Sequence, residues 1–78
     1  MYEVKMPKFG ATMRSGEVDI WFVKEGDKVS KGDQLCEISS DKITNVLESY
    51  VEGTVETIML EEGEEADIGV VIAVIKPD

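Results

Sequence analysis

No histidine occurs among the 78 residues. That absence removes the Ser-His-Asp and Cys-His nucleophile arrangements and most zinc sites. No stretch matches a phosphate-cradling glycine loop or a dinucleotide fingerprint. Cysteine is nearly absent too: Cys36 stands alone, so no internal disulfide forms and nothing calls for an oxidising compartment. Cations are scarce, with 8 Lys and Arg against 17 Asp and Glu and a net charge of −9. Such a surface repels phosphate backbones and anionic membranes, so neither nucleic acid nor a membrane is expected as a partner. No apolar run approaches the ~18–20 residues of a membrane span, and Met1-Tyr2-Glu3-Val4-Lys5 lacks the basic-then-apolar order of a secretory signal.

The chain that remains is 42% hydrophobic and 32% charged, a composition that folds as one small domain over residues 1–78. Carboxylates are plentiful, but they need a cleft to shift their pKa values, and a chain this short has little room for one. A self-contained enzyme is not expected. Chemistry here belongs to a partner or to an attached group.

An internal repeat organises the chain. Gly16–Ser39 aligns without a gap on Gly53–Lys76 at an offset of 37, with six identities: Gly16/Gly53, Val18/Val55, Glu25/Glu62, Gly26/Gly63, Gly32/Gly69 and Ile38/Ile75. Unrelated segments of this length share about one or two. Because glycine alone takes positive φ readily, a duplicated glycine pattern predicts a duplicated backbone path. Val18, Ile20 and Phe22 alternate with Glu17, Asp19 and Trp21, which reads as a half-buried strand with the first set inward. Lys24-Glu25-Gly26-Asp27 and Ser30-Lys31-Gly32-Asp33 read as turns, matched by Glu61-Glu62-Gly63-Glu64 and Asp67-Ile68-Gly69. Tyr2, Val4 and Met6 form another alternating run, and Val70–Ile75 is a β-branched run suited to burial on both faces.

One segment carries a conflicting signal. Ile43, Val46, Leu47, Tyr50 and Val51 fall at helical spacing, with Asp41 and Gly53 as caps. The repeat overrides this: the segment leading into the first copy is extended, so its counterpart is expected to be a strand, and Ile43, Thr44 and Val46 favour that state. Two halves too small to bury their own strands are expected to pack about a pseudo-twofold as an all-β flattened barrel of two sheets. Ser39-Ser40-Asp41-Lys42 then forms a hairpin tip with Lys42 at its exposed apex.

Met6-Pro7-Lys8-Phe9-Gly10, Lys24-Glu25-Gly26-Asp27, Gly32-Asp33, Ser40-Asp41-Lys42-Ile43 and Gly53 stand in the order found in lipoyl domains. From about Val4 to Ile75, the chain resembles the lipoyl domains of 2-oxo acid (pyruvate-type) and acetoin dehydrogenase complexes, within the biotinyl/lipoyl carrier family. The resemblance implies a barrel-sandwich hybrid of two four-stranded antiparallel sheets. It also implies lipoate in amide linkage on Lys42, flanked by Asp41 and Ile43. A lipoate ligase or lipoyl transferase attaches the group in such domains. The arm then visits a thiamine-diphosphate-dependent dehydrogenase, an acyltransferase and a dihydrolipoyl dehydrogenase. The domain itself is implied to be a non-catalytic monomer within an acyltransferase or dihydrolipoyl dehydrogenase chain, in the bacterial cytoplasm or, in a eukaryote, the mitochondrial matrix.

The first half has eight residues between Pro7 and Gly16 where the second has two between Tyr50 and Gly53. An insertion in one copy of a symmetric fold is a surface loop, often on the binding face. In lipoyl domains it lies near the lysine hairpin, which makes Phe9, Thr12, Met13 and Arg14 the candidates for partner recognition. Tyr50 stands where such domains often have proline, and Ser39-Ser40 replaces the frequent acidic residue plus threonine. Two other readings remain. A biotinyl carrier domain shares the fold but flanks its lysine with methionines; an unmodified lipoyl-like adaptor would carry nothing on Lys42. Cys36 is expected to be a buried strand residue, Trp21 to cover a sheet edge, and the acidic run Glu61–Asp67 to be a solvated loop without calcium-ligand spacing.

Overall fold

Four glycines, Gly26, Gly32, Gly63 and Gly69, take φ of +93°, +95°, +86° and +91°. They form two pairs, each separated by the repeat offset of 37. No side chain would clash at any of them, so their requirement is conformational: the turns need left-handed backbone. These turns cut the chain into four corresponding strands in each half. The computed structural model describes residues 1–41 and 43–78, and all their regular structure is strand. Lys42 lies outside the described residues. In chain order the strands are β1 (Tyr2–Lys5), β2 (Ser15–Trp21), β3 (Lys28–Val29), β4 (Gln34–Ser40), β5 (Ile43–Glu48), β6 (Gly53–Ile58), β7 (Glu65–Asp67) and β8 (Val71–Pro77).

They make two four-stranded antiparallel sheets, ordered β1-β8-β6-β3 and β5-β4-β2-β7. Exchanging β1 with β5, β2 with β6, β3 with β7 and β4 with β8 turns one order into the other. That exchange is the pseudo-twofold. Each sheet mixes strands of both halves, so neither half holds a sheet of its own. The halves also trade backbone hydrogen bonds across the seam: Gly26 N–H donates to Val55 O at 2.8 Å and Gly63 N–H donates to Val18 O at 2.7 Å.

The symmetry reaches side chains. Glu62 Oε2 accepts from Trp21 N–H at 2.8 Å, and Glu25 Oε2 accepts from Ile58 N–H at 2.9 Å. Each glutamate caps the end of a strand from the other half, which accounts for the identity at this pair. Gly53 is fixed by packing: a Cβ there would run into the Lys76 carbonyl of β8. At Gly16, its counterpart, an added Cβ would come within 2.8 Å of Met6 Sδ and 2.9 Å of Ile38 Cγ2.

β5 is a strand where local periodicity favoured a helix. Its pairing with β4, from Gln34–Glu48 to Ser40–Ile43, supplies backbone partners that no isolated turn of helix could match. The inward set expected for β2 is corrected. Val18 is fully buried, but Ile20 and Phe22 are 42% and 48% exposed. The register against β4 shifts between Val18 and Ile20, where Asp19 is the extra residue of a β-bulge. A bulge reverses the alternation beyond it, so Trp21 packs against the core and its Nε1–H donates to Leu60 O at 2.8 Å. β6 bulges at the equivalent place, between Val55 and Thr57.

The core lies between the sheets and centres on Val18, Leu35, Ile38, Val55, Ile72 and Ile75. β8 runs between β1 and β6 and buries Ile72, Ala73 and Ile75, whereas Val70 just before it is 45% exposed. Cys36 is fully buried. The molecule is elongated, 35 × 20 × 18 Å.

Candidate functional site

The β4–β5 hairpin is the place to which the sequence points. Its last pair is Ser40 opposite Ile43, and the chain between them is Asp41 and Lys42. Asp41 is exposed in a turn, Ser40 and Ile43 are half-buried, and Thr44 is exposed. Lys42, the predicted attachment residue, lies outside the described residues. Ser39 Oγ donates to Asp19 Oδ1 at 2.9 Å, tying the hairpin stem to the β2 bulge.

The inserted segment, residues 8–15, packs beside the hairpin stem. Its anchor is Met13, only 6% exposed and part of the core cluster. Met13 N–H donates to Gly10 O at 3.1 Å, closing a turn, and Phe9 N–H donates to Met13 Sδ at 3.2 Å. Gly10 lies so close to the hairpin that an added Cβ would come within 2.6 Å of Ile43 Cδ1. Thr12, Met13, Ser40, Asp41 and Ile43 border one shallow concavity between loop and tip.

The four loop candidates therefore separate. Thr12 and Arg14 are exposed, and Phe9 is half-buried against the core. Met13 is placed differently from the other three: its side chain is buried in the core and holds the loop down, because an inserted loop without its own core must bury something. Gly10 and its contact with Ile43 were not singled out from sequence. The only signal was a glycine inside an insertion, where a turn would also explain it.

Burial pushes the Cys36 thiol from its ordinary 9.0 up to about 12, which keeps it protonated and unreactive. Among the described residues no three His, Cys, Asp or Glu side chains gather to hold a metal ion.

Among the described residues, the Gly10 loop and the β4–β5 stem lie against one another and border that concavity. The family model Biotin_lipoyl, described as "Biotin-requiring enzyme", matches residues 2–75. The chain belongs to this family. It is 40% identical over 78 residues (99% of this chain, 18% of the relative) to the dihydrolipoyllysine-residue acetyltransferase component of the pyruvate dehydrogenase complex of Staphylococcus aureus. It is 44% identical over 73 residues (94% of this chain, 18% of the relative) to the acetyltransferase component of the acetoin cleaving system of Bacillus subtilis. Component 2 of the mitochondrial pyruvate dehydrogenase complex of Arabidopsis thaliana is 43% identical over 77 residues, 97% of this chain and 14% of the relative. The chain thus spans less than a fifth of the length of these curated relatives. Its fold is that of a lipoyl domain: the solution structure of the one from the 2-oxoglutarate dehydrogenase complex of Azotobacter vinelandii superposes with a TM-score of 0.79, at 23% identity, over 95% of this chain and 94% of that one.

Proposed function

We propose that this domain is a lipoyl carrier of a pyruvate- or acetoin-type dehydrogenase complex, with lipoate in amide linkage to the side-chain nitrogen of Lys42. The observation that carries the reading is the hairpin: Asp41 and Lys42 occupy the two positions between the paired Ser40 and Ile43. Family membership and the names of the relatives support lipoate. The flanks of Lys42, Asp41 and Ile43 rather than methionines, speak against biotin.

The residues present fit the group. Asp41 and Thr44, close to the tip, are exposed, so an enzyme approaching the hairpin meets solvated side chains there. Lipoate, when attached, supplies a dithiolane that accepts electrons and an acyl group. The chain supplies a stiff mount. The Ser40–Ile43 pair and the Gly10 contact hold the stem, and an arm attached beyond it is free to enter other active sites. The domain itself is non-catalytic. It serves the thiamine-diphosphate-dependent dehydrogenase, acyltransferase and dihydrolipoyl dehydrogenase of its complex from within an acyltransferase or dihydrolipoyl dehydrogenase chain. That complex sits in the bacterial cytoplasm or, in a eukaryote, the mitochondrial matrix.

Incubating the apo domain with a lipoate ligase, lipoate and MgATP, then weighing it, tests the assignment. The wild type gains one lipoyl group and Lys42→Ala gains none. Loss of one ammonium takes the net charge from −9 to −10, seen as one acid-ward step on a native gel. Modification that survives Lys42→Ala places the site elsewhere, and uptake of biotin from a biotin ligase instead makes the domain a biotinyl carrier.

A further inference from the structure

The two sheets are near copies in backbone and opposites in charge. The strands of the sheet that carries the hairpin hold Glu17, Asp19, Glu37, Glu48, Glu65 and Asp67, and no Lys or Arg. The strands of the other sheet hold Glu3 and Glu56 with Lys5, Lys28 and Lys76. Nothing in the repeat requires this split.

The register arranges the acidic sheet's outer face. Nearest the tip, Glu65, Glu17, Ser39 and Thr44 lie side by side across the four strands. The next row is Ile20, Glu37 and Val46. Ile20 and Val46 are 42% and 37% exposed, and Phe22 beyond the end of β2 is 48% exposed. The face is an apolar strip with a carboxylate at its centre and more carboxylates between it and the tip. Among the described residues the one ion pair, Lys28 Nζ to Asp78 Oδ2 at 3.4 Å, belongs to the other sheet. A second copy is a poor occupant, since two such faces would set Glu17, Glu37 and Glu65 against their own copies.

We propose that this outer face is the docking surface for the lipoate ligase, whose complementary surface is cationic around an apolar contact. The proposal rests on the lipoyl reading of Lys42. Charge complementarity favours a basic partner, and reach selects the ligase. The ligase makes lipoyl-adenylate from lipoate and ATP with release of pyrophosphate, and the Lys42 amine then displaces AMP. Its active site must therefore come within one lysine side chain of the tip, which brings its body over the adjoining face. A dehydrogenase component reacts at the far end of the much longer lipoyl arm, so its reacting centre need not come to the tip itself.

Steady-state ligation of the apo domain by purified lipoate ligase, with lipoate and MgATP at low and high salt, is the test. Three double variants are compared after thermal melting confirms their fold: Glu17→Lys with Glu37→Lys on this face, Glu3→Lys with Glu56→Lys on the other sheet, and Ile20→Thr with Val46→Thr. The first and third lower kcat/KM about tenfold, through KM rather than kcat, and the first also flattens the salt dependence. The second, with the same change in net charge, stays within about twofold. If the first pair does not fold, Glu17→Gln and Glu37→Gln remove the charges without reversing them and give smaller losses of the same kind. Equal losses from the two Lys pairs mean that net charge alone matters; no loss from the first means that the face is not used. Either result overturns the docking assignment. A wild-type domain that takes no lipoate overturns the lipoyl reading itself.

Discussion

Cys36 shows how the small core constrains one residue. It sits on β4 with Leu35 on one side and its cross-strand partner Trp21 on the other, fully buried. Burial disfavours the thiolate in the folded state only, raising the pKa from 9.0 to about 12. The unfolded chain therefore loses this proton first. The contribution is intact below pH 9.0 and is lost as pH rises from there toward about 12, with a limiting slope of about 1.4 kcal/mol per pH unit. Urea unfolding across this alkaline range is expected to show a steeper loss of stability for the wild type than for Cys36→Ala. Identical slopes would mean that the thiol is not protected. Met13 makes a related point at a functional place. Sequence put it with Thr12 and Arg14 in a recognition loop, yet its side chain is what fastens that loop to the body.

At the scale of elements, the hairpin tip is a geometric device, and shifting its lysine by one position tests that. Ile43 turns its side chain toward Gly10 in the loop, so Lys42→Ile with Ile43→Lys puts the amine at the position that faces the loop. Successive residues along a strand face opposite ways. This double variant should fold and take lipoate poorly in the mass assay, whereas Asp41→Ala should be modified much as the wild type is. Equal modification of all three would mean that exposure, and not placement, selects the site. Most of this architecture was legible. The glycine spacing announced the duplicated turns, and the repeat outweighed the helical stripe over β5. The β2 bulge was not legible, because Asp19 is an ordinary strand-surface residue and only pairing with β4 reveals it as the extra one. Its cost to the reading was the inversion of Ile20, Phe22 and Trp21. The Glu25/Glu62 identity was visible, but not that each caps a strand from the opposite half. The loop's position beside the tip was implied only by the resemblance; the Gly10–Ile43 contact is its physical cause.

For the whole molecule, duplication supplies the frame and the differences between copies supply the function. The loop, the acidic sheet and the Asp-Lys tip all lie on one side of that comparison. The pseudo-twofold has one more consequence. It carries Ser40 and Asp41 onto Pro77 and Asp78, and β5 onto β1, whose Tyr2 is opposite Ile75 of β8. The amino and carboxyl ends of the described chain therefore meet where the other half makes its turn, with room for two residues between them. Backbone cyclisation through Lys-Ile would complete a second Asp-Lys-Ile tip from Asp78, on the sheet that lacks both loop and acidic face. Such a ring should fold, and it should melt higher than the open chain because its unfolded state is restricted. With a lipoate ligase it should still gain one lipoyl group, at Lys42. Two groups in the intact mass would mean that a symmetric frame, once given a lysine, makes an acceptor wherever it turns.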